Sequence, residues 1–312
     1  MRIAGFETGV RARVKEEVRS RLDDAAHAFL NDGVLAKVDF TEPAGEPALA
    51  APDSTSWRIF KNPVSLFIGG VAAVILEFAE PRVRSGVWDH SSFRVDPVTR
   101  LKRTGLAAMV TVYGARSVAE RMIAMVNRMH NQVAGTTPDG TPYTANDPAL
   151  LNWVQATASY GFLEAYAAYV SPLSVDERDQ VYRESQRSAA LYGAVGAPKS
   201  LAEQQAFFSA MLPHLEPSEI VFEFLKIMKN APALPSPLQL SQHSFVRAAV
   251  EITPPEVREV LGLTRRYGLR PFEGRVVRRM GRRAERFMLR SSPAVQACRR
   301  LGLPEDYLYR NS

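Results

Sequence analysis

Cysteine is almost missing from this chain: Cys298 stands alone. One thiol excludes a disulfide framework, a cysteine-built zinc site and covalent tethering of a prosthetic group through a Cys-x-x-Cys-His pair, so any metal has to be held by other side chains. Long apolar runs are also missing. The most apolar stretch, residues 64–79, contains Ser65, Gly69, Gly70 and Glu77, and falls short of the roughly 20 residues that span a bilayer, which reads as a buried helix and predicts no transmembrane segment. The opening MRIAGFETGV has no basic run before an apolar stretch and no twin arginine, so the expected location is cytoplasmic. No G-x-x-x-x-G-K-[ST] loop, G-x-G-x-x-G turn, G-x-S-x-G elbow or H-E-x-x-H pair occurs, which removes the common nucleotide, serine-hydrolase and zinc-protease chemistries. The carboxylates lack the Glu plus Glu-x-x-His pattern of a di-iron bundle.

Two-residue alternation is scarce too, and the fold is predicted to be all-α. Of 312 residues, 46% are hydrophobic and 23% charged, enough for a sizeable core. No fixed-period repeat or apolar-poor linker divides the chain, so residues 1–312 are expected to form one domain, with a basic helical part at 264–312. The net charge of +6 is carried largely by arginines between positions 265 and 300, interleaved with Val276, Val277, Met280, Phe287, Met288 and Leu289. Such a segment can meet nucleic acid or an anionic membrane. The default is a solvated helix face, and no nucleic-acid partner is expected.

Helix punctuation is frequent. Val14, Val18, Leu22, Ala25 and Phe29 form one apolar stripe of a first helix. Asn62-Pro63, Asp96-Pro97 and Asp147-Pro148 each place a capping side chain before a first-turn proline. They open helices predicted to run to near Pro81, to Tyr113 with Gly114 as terminator, and to about Tyr169. Ser117/Glu120, Ser174/Glu177, Ser200/Glu203 and Thr253/Glu256 read as capping boxes. Residues 136–146, with Pro-Asp-Gly inside, read as a turn-rich loop.

Imidazole is the usual nitrogen ligand for metals, which makes the five histidines the natural candidates. His27, His214 and His243 lie in polar or turn settings that explain them. His90, in Trp88-Asp89-His90-Ser91, either faces a pocket or closes a turn by a hydrogen bond. His130 lies near a helix end among Met122, Met125, Val126, Met129 and Val133, where a hydrogen-bonded core residue and a metal ligand both fit the pattern. Arg100, Arg103 and Thr104 stand at i, i+3 and i+4 on one helix face, either as a solvent-facing stripe or as an anion site.

Several segments form an ordered series: Ser56-Trp57-Arg58; Phe78-Ala79-Glu80-Pro81; Gly86-Val87-Trp88-Asp89-His90-Ser91; Asp96-Pro97 with Arg100-Leu101-Lys102-Arg103-Thr104; Met129-His130 with Val133 and Gly135; and Gly140, Tyr143, Ala145, Asp147-Pro148, Leu151 and Trp153-Val154. Taken in order, they resemble the family of the latex-clearing rubber oxygenases and the MpaB-type oxygenase. The likeness is best over residues 56–170. It implies an all-α, globin-like core around non-covalent haem b, with His130 at the position of the iron ligand and Arg100 and Thr104 on the distal side, affecting haem occupancy and activity. Arg103 stands where rubber oxygenases place a lysine on the iron. A guanidinium keeps its proton and is a poor ligand, so that ligation is not expected here. Gln155 follows Trp153-Val154 where the family commonly has histidine; it can hydrogen-bond a haem edge but cannot serve as a base. Asn127 lies near a family arginine, which weakens transfer of a propionate contact.

The resemblance further implies oxidative attack on a carbon-carbon double bond of an apolar natural product, with dioxygen as co-substrate, an unidentified electron donor, and Arg100, Arg103, Thr104 and His90 as the catalytic set. Another haem-dependent oxidation, a non-catalytic haem carrier or sensor, and a haem-free binding module are the alternatives.

Overall fold

The computed structural model describes residues 38–234 and 238–310, so the first predicted helix lies outside the described residues. The chain is built almost wholly of helices: α1 (Thr55–Phe60), α2 (Pro63–Glu77), α3 (Pro81–His90), α4 (Pro97–Tyr113), α5 (Arg116–His130), α6 (Pro148–Tyr169), α7 (Val175–Tyr192), α8 (Leu201–Met211), α9 (Glu219–Asn230), α10 (Gln242–Ile252), α11 (Pro255–Val260), α12 (Glu273–Glu285) and α13 (Pro293–Arg300). The three cap-plus-proline sites open α2, α4 and α6 as predicted, with Asn62, Asp96 and Asp147 accepting from first-turn amides.

The centre of the fold is the pairing of α2 with α6. Glycines let the two backbones approach: a Cβ added to Gly69 would lie 2.7 Å from the Gly161 carbonyl oxygen, and one added to Gly161 would lie 2.4 Å from that of Gly69. Helices α10 and α12 pack on this pair. The principal core cluster runs from Val64 on α2 to Val277 on α12 and includes Ile68, Ile75, Leu76, Trp153, Phe224 and Phe245, all fully buried or nearly so. Phe78 lies edge-on to Trp88 and Phe224, tying α3 and α9 to the end of α2. The chain turns through 113° between α2 and α3, where Glu80 caps the new helix by accepting from the Val83 amide at 2.7 Å.

Five local expectations change. The 136–146 loop is a small antiparallel hairpin, β1 (Ala134–Thr136) with β2 (Pro142–Thr144), and Gly140 at φ +92° sits in its turn. Its strands are too short for alternation to show in a sequence. Trp88-Asp89-His90 closes helix α3 instead of forming an irregular turn. The start of α5 has no capping box of its own: Glu46, from the segment before α1, takes the Ser117 amide at 2.6 Å and the Ser117 hydroxyl at 3.0 Å. Thr253 does not cap α11, because its hydroxyl donates back to the Ala249 carbonyl. Ser174/Glu177 forms the full box, while Glu203 reaches the Lys199 amide and leaves Ser200 to cap alone.

Replacing Gly161 by alanine is expected to destabilise the chain by about 2–3 kcal/mol, because backbone rather than a flexible side chain opposes the new methyl. At Gly70 the nearest atom would be Phe162 Cε1 at 3.9 Å, so Gly70→Ala should be neutral or stabilising by up to about 1 kcal/mol. Chemical denaturation of both variants checks the contrast.

Candidate cofactor site

Helices α4 and α5 pack on each other; α4 leans mainly on α1 and α13, and α5 on α7, rather than on the central pair. The central helices record the gap. Leu66, Gly70, Val74 and Glu77 on α2, at spacings of four, four and three, are all half-buried, although most of α2 beyond its first turn is sealed in the core. On α6, Leu151, Gln155, Ala158 and Phe162 repeat the pattern. Each row is one helix face. The coupling of Glu77 to Arg100 and of Arg100 to His130 turns the α2 row toward α4 and α5, and the gap between these layers is the candidate slot.

Three charged or titratable groups meet across it. Burial pushes the Glu77 carboxyl up to about 7, against a pull downward from Arg100. Burial likewise lowers Arg100, with Glu77 opposing and Arg103 assisting. The His130 imidazole is lowered by burial and then by Arg100, which favours its neutral form. Glu77 and Arg100 lie deep in the protein yet keep some accessible surface, as side chains lining an internal slot do. Among the described residues the His130 imidazole forms no hydrogen bond, and its Nδ1 is sealed from solvent without a partner. Its Nε2 is therefore the ring nitrogen within reach. A buried imidazole that spends neither nitrogen on packing is a poor core residue and an available ligand.

Thr104 completes the cluster indirectly. Its Oγ1 accepts from Arg100 Nη1 and donates to the Arg100 carbonyl at 3.0 Å, so it steers the guanidinium and has no proton left to offer elsewhere. Gln155 lies on the slot face of α6, and its Nε2 donates to Ser159 Oγ at 3.1 Å. Arg103 is exposed. His90 and Asn127 stand apart. His90 is exposed at the end of α3, with Nε2 3.2 Å from the Tyr143 hydroxyl; the bond ties the helix to the distant hairpin and closes no local turn. Asn127 donates to the Leu191 carbonyl at 2.9 Å, fastening α5 to α7 beside a small cleft of about 220 Å³. Tyr143 stands over Gly135, where a Cβ would lie 2.6 Å from its hydroxyl oxygen. That contact lies within the hairpin; Tyr143 also reaches α3, where a Cβ on Gly86 would lie 3.5 Å from its ring, and so seats the hairpin there. Glu77 is the residue that sequence reasoning passes over; its signal is a lone carboxylate in an otherwise apolar helix.

A carboxyl held at about 7, against an ordinary 4.5, stays protonated in the folded chain over a range where the unfolded chain ionises. Stability should therefore fall as pH rises from 4.5 to about 7 and then level off. In the ligand-free chain Glu77→Gln removes that loss. Thermal melts should show a gain on the order of 1–2 kcal/mol at about pH 8 and little change at about pH 4.

No match is found among curated proteins or among solved structures. A family model described as the catalytic domain of the ER-bound oxygenase mpaB/B' and rubber oxygenase matches residues 57–286, well beyond the 56–170 stretch in which the likeness is legible by eye. That match runs from α1 through α12 and takes in every wall of the slot, and the chain belongs to the mpaB and rubber oxygenase family.

Proposed function

We propose that this chain is a haem b-dependent oxygenase that cleaves a carbon-carbon double bond of an apolar, natural-product-type substrate. The carrying observation is His130, a neutral, unpartnered and partly sealed imidazole opening on a slot between helix layers. The family supports the oxygenase class. The donor set fits haem b. Nε2 of His130 is the nitrogen available to iron, the faces of α2 and α6 offer a largely apolar wall with Gly70 leaving room, and Arg100 supplies positive charge.

When bound, haem supplies iron for dioxygen activation, and the pocket's polarity and access decide between binding and reaction. Arg100 presents a fixed, permanently charged fork to negative charge that develops in the slot. Thr104 acts through Arg100, holding the fork in place. Glu77, with its carboxyl at about 7, holds or gives up a proton near neutral pH within electrostatic reach of Arg100. Gln155 supplies an amide where an imidazole base is absent, so proton movement at this end falls to Glu77. Arg103 is assigned to the mouth of the slot, and His90 and Asn127 to holding the hairpin and α7 around it.

Cleavage of a double bond to two carbonyls consumes both atoms of one dioxygen and balances without an external reductant; hydroxylation inserts one atom and needs two electrons and two protons from a donor. Oxygen consumption with and without reductant, beside mass analysis of products from a terpenoid and polyketide panel, separates the two. Purified after haem-supplemented expression, the wild type is expected to show a Soret band that His130→Ala shifts or loses. Full haem and an unchanged spectrum in that variant would show the ligand assignment to be wrong. Arg100→Gln should lower haem occupancy and slow turnover per bound haem on the order of 10²-fold; unchanged turnover would remove Arg100 from the chemistry.

A further inference from the structure

Helix α12 carries a feature that oxygen chemistry does not use. Its inner face is locked into the protein: Val277 is fully buried, and a Cβ on Gly281 would lie 2.5 Å from the Tyr169 carbonyl oxygen. Its outer face presents Arg275, Arg278, Arg279, Arg282, Arg283 and Arg286, all exposed and grouped around an open cleft of about 390 Å³. Among the described residues none of the six has an ion pair or hydrogen bond. The two acids of the helix are committed elsewhere, Glu273 to Arg247 and Glu285 to Lys61. Six unpaired guanidiniums on one rigid face repel one another and call for an anionic partner.

Apolar groups stand among the charges. Phe272 precedes the helix and is 72% exposed, with its backbone at φ +71°, a left-handed conformation that bulky residues rarely adopt. Its ring lies 5.4 Å from the Arg275 guanidinium. Val276 is 51% exposed. An aromatic ring and an aliphatic side chain set among arginines match a lipid interface, where charge meets headgroups and apolar side chains enter the acyl boundary. A nucleic-acid backbone would use the arginines and leave the exposed valine idle. Among the described residues no single helix is long and apolar enough to cross a membrane.

We infer that the outer face of α12, led in by Phe272, docks the protein on an anionic lipid bilayer. Arg279, Arg282 and Arg283 supply attraction to the headgroups, and Phe272 and Val276 supply shallow insertion.

Flotation of the full chain with vesicles of phosphatidylcholine and phosphatidylglycerol in equal parts, against phosphatidylcholine alone, tests this. The wild type should float with the anionic vesicles only and be released by salt. Replacing Arg279, Arg282 and Arg283 together by glutamine should weaken partitioning by roughly 100-fold, at about five-fold per arginine. Because those side chains are unpaired and exposed, the melting temperature should not fall. Phe272→Gly separates docking from folding: glycine accepts φ +71° without strain, so stability should hold or rise while vesicle binding drops several-fold. Absence of vesicle binding by the wild type, binding unchanged in both variants, or displacement of vesicle-bound protein by duplex DNA with Phe272→Gly silent would each overturn the inference.

Discussion

The close crossing of α2 and α6 at Gly69 and Gly161 sets the distances on which everything else depends. Because neither glycine has a side chain, the two helices meet backbone to backbone, and their larger residues are displaced to the flanks. On one flank these residues build the sealed core with α9, α10 and α12. On the other they form the half-buried rows that face α4 and α5. A wider crossing would spread the central pair into the space that now lies between the layers. Dense packing on one side is thus what keeps the other side open.

The treatment of buried polar groups obeys the same division. Two buried charged groups outside the slot are fully bonded, although other buried polar atoms, Trp57 Nε1, Trp153 Nε1 and the Tyr182 hydroxyl among them, have no partner among the described residues. Arg300, almost wholly buried, donates to the carbonyls of Phe40, Glu46 and Tyr113 at 2.7–2.8 Å, fastening the connection before α1 to the end of α4. Glu285 receives Lys61, Asn62 and Tyr166 at 2.9–3.0 Å. Along the slot the bonding stays incomplete: His130 has an unpartnered nitrogen, Glu77 is held against its ionisation, and Arg100 answers only to Thr104 and to charges at longer range. Folding tolerates unsatisfied groups of this kind at functional sites and seldom elsewhere.

Much of this architecture is legible in the residues. Asn62-Pro63, Asp96-Pro97 and Asp147-Pro148 mark helix starts because capping and the fixed φ of proline are local effects that act without tertiary help. Ser117 misleads because its amide is capped by Glu46, which no short-range pattern connects to it. The hairpin is hidden because three-residue strands leave no periodic trace. Within the site, the i, i+4 spacing of Arg100 and Thr104 makes them neighbours, and they are bonded. That Arg103, one step round the same helix, stands exposed while Arg100 lies deep depends on where the central pair sits. The importance of Glu77 is of the same kind. Its place in an apolar helix is visible in the sequence, but its meeting with Arg100 is a property of the fold.

Asn62 has a mechanical consequence. Its side-chain oxygen accepts from the Val64 and Ser65 amides that begin α2, while its amide nitrogen donates to the Gly281 carbonyl and to Glu285 on α12, and the residue has no exposed surface. A single carboxamide thus welds the head of one slot wall to the arginine-bearing helix. With every bond of that group in use, the two helices cannot slide past each other without stranding a donor or an acceptor in the dry interior. A load applied to the outer face of α12 therefore passes into α2 as through a rigid strut, and the slot would be carried with that face as one body.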